Sequence, residues 1–237
     1  MPPFASATPF PVPATSASRP VPESCWTEWP RAGEAAGVTF RRLAERIAAT
    51  RATVVALFVY GAVDRAGERE AALRAGWGEV NFPVTWIECA ACDGAELAGV
   101  QALGWHGTAV ERLRVGGRVV GSVADDGAAR HLWLGGVAPR ALMLPKAAQV
   151  QQMFAEAELA LDLAGFELGD VVRTWFYNDD ILAWYGDFNR VRTAHYAGVR
   201  WRSGSLPAST GIGARNRTGA ALEVAGRAWR PKGGTRC

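Results

Sequence analysis

Long apolar runs are missing from this chain. The longest, Thr53 to Val63, holds about 10 residues where a membrane-spanning helix needs roughly 20, so no transmembrane helix is expected. The amino terminus lacks the order of basic region, apolar core and small-residue cleavage site that marks a secretory leader, and cytoplasmic residence is the expectation. Cysteine is scarce: Cys25, Cys89, Cys92 and Cys237 are too few and too uneven for a disulfide framework and read as reduced thiols. Cys89 and Cys92 form a lone Cys-x-x-Cys without the further ligands a structural zinc requires, and His106, His131 and His195 are far apart in sequence, so no metal is expected. A strong charge of one sign is also absent. The net charge is +3 and the arginines are scattered without a dense basic run, which argues against a nucleic-acid partner and against ribonuclease activity.

What is present is the composition of a folded chain. With 237 residues, 49% of them apolar and 21% charged, it can bury the core of one large domain or two small ones. Residues 1–34 repeat Pro, Ala, Ser and Thr, and prolines without amide donors cannot hold a helix or a central strand, so this segment reads as an extended arm that Phe4, Phe10, Trp26 and Trp29 could dock on a core.

Beyond the arm the periodicity alternates. Phe40, Leu43, Ile47 and Ala48 fall at helical spacing within 38–49. The run 53–63 is a buried strand, and 64–77 is again helical. Segments 80–92 and 95–107 read as two strands joined by a turn at Asp93-Gly94. A meander follows over 112–137, with turns at Gly116-Gly117 and Asp126-Gly127. Ala147, Val150, Phe154, Ala157, Leu161 and Ala164 mark a long helix over 146–166 that Gly165 terminates. A strand (169–181), a helix (184–198) and a final strand pair (206–216 and 220–231) complete the chain. The order predicts an α+β fold in which helices lie on one face of a sheet.

The chain also repeats itself. VVALFVY (54–60) matches VVRTWFY (171–177); each is followed by a helix and then by a strand pair led by Pro83 or Pro207, and Gly94 and Gly219 fall almost in register. A reused β-α-ββ unit explains this economically, with the first copy lacking the opening meander and part of the long helix.

The carboxy-terminal half resembles the Rid (YjgF-like) superfamily. LWLGGVAP (132–139) is similar to the strand leading into that family's Ser-Gly-Gln-hydrophobic-Pro element, LAGFELGDVVRTWFY (163–177) to its Gly-x-x-x-x-Asp-Val-Val strand entry, FNRVRTAHY (188–196) to its Asn-containing second helix, and LPASTGIGARN (206–216) to its Pro-Ala-Arg-Ser strand. The resemblance implies a Rid-like (chorismate mutase-like) sheet, complete over 111–231 and preceded by a degenerate partial copy at 35–110, with a tail at 232–237. The layout also resembles the chorismatases, which carry a divergent version of this fold beside a reduced first domain. It further implies a homotrimer, although two units in one chain could bury part of that interface internally. Where Rid deaminases hold the substrate carboxylate with an arginine, this chain has Ser209, which removes the bidentate fork.

Several residues could carry chemistry. Glu223, flanked by Leu222 and Val224, stands where the family keeps a glutamate near its pocket; it either has a raised pKa and handles a proton or is an outward-facing strand residue. Ser209 and Thr210 are hydroxyls for water positioning. Asn189 and Arg192, three apart on one helix, present an amide and a guanidinium to a ligand or form a solvated stripe. Arg215 or Arg192 could replace the missing anion anchor. Gly211 lets a ligand approach the backbone or marks a bulge, and Trp175 and Tyr177 could wall a pocket or belong to the core. The reading is an enzyme without a cofactor that hydrolyses or rearranges a small carboxylate-bearing imine, enamine or enol ether; the alternative is a non-catalytic ligand-binding or scaffold protein.

Overall fold

The protein was analysed as a computed structural model, which describes residues 22–91 and 95–233. Phe4, Phe10, the Asp93-Gly94 turn, Cys92 and Cys237 lie outside the described residues. Two sheets stack face to face, and each carries two helices on its far side. The first sheet holds β1 (Glu23–Glu28), β2 (Thr53–Gly61), β3 (Val84–Glu88) and β4 (Leu97–Trp105) in the order β1-β4-β2-β3, covered by α1 (Ala36–Ala48) and α2 (Ala66–Trp77). The second holds β5 (Val110–Val115), β6 (Arg118–Asp125), β7 (Ala129–Val137), β8 (Val171–Asn178), β9 (Ala208–Gly213) and β10 (Leu222–Pro231) in the order β5-β6-β7-β10-β8-β9. It is covered by α3 (Lys146–Leu163) and α4 (Ile181–Tyr196).

The sequence explains the layering. On α1 the buried residues Ala36, Phe40, Leu43 and Ile47 recur every three or four positions and meet Leu57 and Val59 of β2. Alternate residues of β2, Ala56 and Phe58, point the other way and join Trp105, Trp133, Tyr177 and Ala225 between the sheets. A strand apolar on both faces is thereby covered by helices on one side and by a sheet on the other. The meander turns as expected, with both Gly116 and Gly117 at positive φ, 57° and 77°. Helix α3 closes on Gly165, whose N–H donates to the Asp162 carbonyl while that of Phe166 donates to Leu161, both at 2.9 Å.

Three expectations are corrected. Strands β3 and β4 do not form a hairpin, and β9 and β10 do not pair with each other. In each case a central strand lies between them: β2 pairs in parallel with β3 and antiparallel with β4, and β8 does the same with β9 and β10. The α2 and α4 crossovers make the parallel pairs, and the returning strand takes the remaining edge of the apolar strand. Residues 23–28, read as part of the extended arm, form an edge strand on β4.

The same pairing shows that the repeat is real at the level of topology. Strands β1 to β4 with α1 and α2 correspond one for one to β7 to β10 with α3 and α4. The first unit lacks counterparts of β5 and β6, and its first helix has 13 residues against 18.

Candidate functional site

The two units meet where β3 of the first crosses β7 of the second. Thr85 is buried, and its hydroxyl accepts the Gly136 N–H at 3.1 Å. Only glycine fits on the facing strand. A Cβ at Gly135 would lie 2.9 Å from Thr85 Oγ1, and one at Gly136, where φ is +64°, would lie 2.7 Å from the Val84 carbonyl oxygen. Further along, the Glu88 N–H donates to the Arg215 carbonyl at 3.0 Å, and Ile87 pairs with Asn216. Backbone pairing here adds to the side-chain core of Phe58, Trp105, Trp133 and Tyr177 between the sheets.

Glu223 lies at this seam. It stands opposite Tyr177 in the β10–β8 register and, like Ala225, points between the sheets, while Leu222 and Val224 face the helices. Its relative exposure is 0%, and neither carboxyl oxygen has a hydrogen-bond partner. Burial pushes its pKa up to about 7, against the pull of the Arg217 and Arg118 guanidiniums and of the Trp86 backbone, which faces it without closing a hydrogen bond. Burial also raises the Tyr177 hydroxyl, with Tyr60 and Glu223 adding to the effect.

The groups that act on Glu223 belong to a cavity. A space of about 300 Å³ opens between α2 and β3 on one side and the β5–β6 turn and β9–β10 loop on the other. Arg74, Arg114, Arg118 and Arg217 line it together with Glu70, and Trp86, Phe82 and Val84 supply apolar wall. Glu70 accepts from Arg74 at 2.9 Å and from Arg217 at 3.2 Å. Arg118 donates to the Gly136 carbonyl at 3.1 Å. The residue as a whole is exposed, while the partial desolvation of its guanidinium, with the Arg217 and Arg140 cations, lowers its pKa. A neighbouring cavity of about 240 Å³, lined by Arg118, Arg140 and Glu156, shares the Arg118 wall.

The residues named from sequence divide between two faces. Glu223, Tyr177, Trp175 and Thr210 stand on the inner face; Trp175 meets Phe58 edge-on at 6.3 Å, and Thr210 accepts from Arg173 at 2.7 Å. Ser209 and Gly211 point toward the helices: Ser209 Oγ is 2.6 Å from Thr174 Oγ1, and Gly211 lies under the Tyr185 ring. Arg192 stacks over Phe188 at 5.5 Å and shares an outer cavity of about 270 Å³ with Tyr196, Leu206 and Ser209. Asn189 keeps a buried Oδ1 without a partner. Arg215 is engaged by both oxygens of Glu88 across the seam.

The structure thus brings Ser209 and Arg192 together on one side of the sheet and leaves Glu223 on the other. Sequence reasoning missed Arg118, Arg217, Arg74, Arg114 and Thr85. The one local hint was the pair of diglycines, Gly116-Gly117 and Gly135-Gly136, which bracket Arg118 and allow the close approach at β3.

Among the described residues no group of three or more His, Cys, Asp or Glu side chains is placed to hold a metal ion, and no helix is long and apolar enough to cross a membrane. Fold and site together define a tandem α+β protein with a buried glutamate and an arginine-lined cavity between its units. No family model matches the chain, and no curated protein matches it. Solved structures do. The YjgF gene product from E. coli shares 23% identity over 49% of this chain and 91% of its own, with a TM-score of 0.39. E. coli TdcF with bound serine shares 19% over 52% and 99%, with a TM-score of 0.41. A member of the highly conserved YjgF family from Streptococcus pyogenes shares 18% over 53% and 100%, with a TM-score of 0.43. The first and third of these carry YjgF in their names.

Proposed function

We propose that the seam cavity is a binding and reaction site for a small carboxylate-bearing metabolite, with Glu223 as the proton-handling group and Arg118 and Arg217 as the anion anchor. The observation that carries the reading is Glu223 itself. Its carboxyl is fully buried and unpartnered, and burial raises its pKa to about 7 against the opposing pull of two guanidiniums that line one cavity. A carboxyl with a pKa near neutrality is suited to give and take a proton at physiological pH, as hydrolysis or rearrangement of an imine, enamine or enol ether requires. That substrate chemistry comes from the Rid-like motifs of the sequence. The anchor differs from the one expected at Arg192 or Arg215: the first lies on the outer face and the second is held by Glu88.

A second reading, non-catalytic binding of the same metabolite, is favoured by the zero exposure of Glu223, since a catalytic carboxyl must reach the reacting atoms. Single-turnover assays with 2-imino acids generated in situ and with enol-ether carboxylates separate the two. Turnover lost in Glu223→Gln with carboxylate binding retained supports the enzyme. Binding by wild type without conversion supports the second reading, and absence of carboxylate binding contradicts both.

A further inference from the structure

Four guanidiniums and one carboxylate line the seam cavity, and a further carboxyl that is half-protonated near neutrality lies behind it. Glu70 is shared between Arg74 and Arg217, so it neutralises at most one of them. Arg118 has only the Gly136 carbonyl among its hydrogen bonds, and no acid pairs with Arg114 among the described ion pairs. One bound monocarboxylate would leave the cavity strongly positive. The charges are also spread out: Arg74 lies on α2 and Arg217 on the β9–β10 loop, whereas Arg114 and Arg118 flank the β5–β6 turn across the cavity. Between them the wall is carbon, from Phe82, Val84 and Trp86.

We infer that the cavity takes a dicarboxylate, one carboxylate held by Arg217 with Arg74 and the other by Arg114 with Arg118, with the carbon linker against Phe82 and Trp86. This rests on the reading of the seam as an anion site and adds its charge and length. About 300 Å³ accommodates a four- to six-carbon diacid, whereas a compact dianion such as phosphate has no carbon linker to pack against Phe82 and Trp86. Guanidiniums are the groups suited to bidentate carboxylate recognition. Glu70 competes with the ligand for Arg74 and Arg217, so the carboxylate at that wall must displace it while the one at Arg114 and Arg118 need not.

The test is isothermal titration of the full chain with succinate, butyrate and inorganic phosphate at low salt, on wild type and on Arg217→Gln, Arg114→Gln, Glu70→Gln and Arg192→Gln. Succinate is expected to bind at least ten-fold more tightly than butyrate or phosphate. Either cavity arginine variant lowers succinate to the butyrate level with the fold retained by circular dichroism, Glu70→Gln tightens succinate, and Arg192→Gln, on the outer face, leaves all three unchanged. Equal affinity for butyrate and succinate overturns the dicarboxylate while leaving a monocarboxylate site standing. Phosphate binding as tightly as succinate overturns the two-walled arrangement, and no binding by any acid overturns the anion site as well.

Discussion

The Thr85 hydroxyl accepts the Gly136 amide at 3.1 Å, and this one bond joins the third strand of the first unit to the third strand of the second unit's meander. Both groups are buried, so losing either partner leaves a polar atom without water. Thr85→Val is expected to cost about 1–3 kcal/mol, the usual penalty for an unsatisfied buried amide. Gly136→Ala adds a Cβ 2.7 Å from a carbonyl oxygen at positive φ and is expected to cost at least as much. Urea unfolding measures both; a change under about 0.5 kcal/mol in either would show that the seam is not tightly packed.

Glu223 makes stability fall as pH rises. Its folded pKa of about 7 lies above the ordinary value of 4.5, so between those values the native state binds more protons than the unfolded chain. The full stability is present below about pH 4.5 and is lost as pH rises through 7, by a shift equivalent to about 3 kcal/mol. In Glu223→Gln this slope disappears and the protein is more stable than wild type at pH 8. Melting temperatures at pH 5, 6, 7 and 8 on both proteins check the difference, and parallel profiles would contradict it.

Asp170 is the buried charge on which the second unit depends. Its side chain has no exposure; it pairs with Arg202 and accepts the Glu167 N–H at 2.9 Å, with Arg230 3.6 Å away. Asp170→Ala leaves the Arg202 side chain without its partner and the entry to β8 without its turn bond, and is expected to cost about 1–3 kcal/mol. Arg202→Ala exposes the buried carboxylate and is expected to cost a similar amount.

The bidentate contact of Arg215 with Glu88 is solvent-exposed, with about half of the arginine side chain accessible. Glu88→Ala is expected to change stability by less than about 1 kcal/mol. Arg215→Ala leaves carboxylate affinity unchanged, whereas Arg217→Ala lowers it. Loss of binding in Arg215→Ala would return the anchor to the position that sequence reasoning favoured.

Much of the fold was legible because it follows from local pattern. The α1 and α3 periodicities, the diglycine turn of the meander and the duplicated β-α-ββ order all depend on residues close in sequence. The Asp-Gly signal before β4 misled because a hairpin cue says nothing of a third strand. Apolar β2 takes both neighbours as partners and separates them. For the site, the last strand pointed to Glu223, but the cavity beside it is built from Glu70, Arg74, Arg114, Arg118 and Arg217, contributed by segments up to 147 residues apart. Their convergence depends on how the first unit stacks on the second, which no local periodicity records. Ser209 and Arg192 were chosen by resemblance; strand alternation turns Ser209, and α4 carries Arg192, to the face opposite Glu223.

The most direct test of the account is the protonation of Glu223, followed by infrared difference spectroscopy of the wild type against Glu223→Gln between pH 4 and 9. A protonated carboxyl band that is absent from the variant, disappears with a midpoint near pH 7 and shifts when succinate is added would establish a proton-handling group coupled to the cavity. A midpoint near 4.5 with no response to succinate would contradict it.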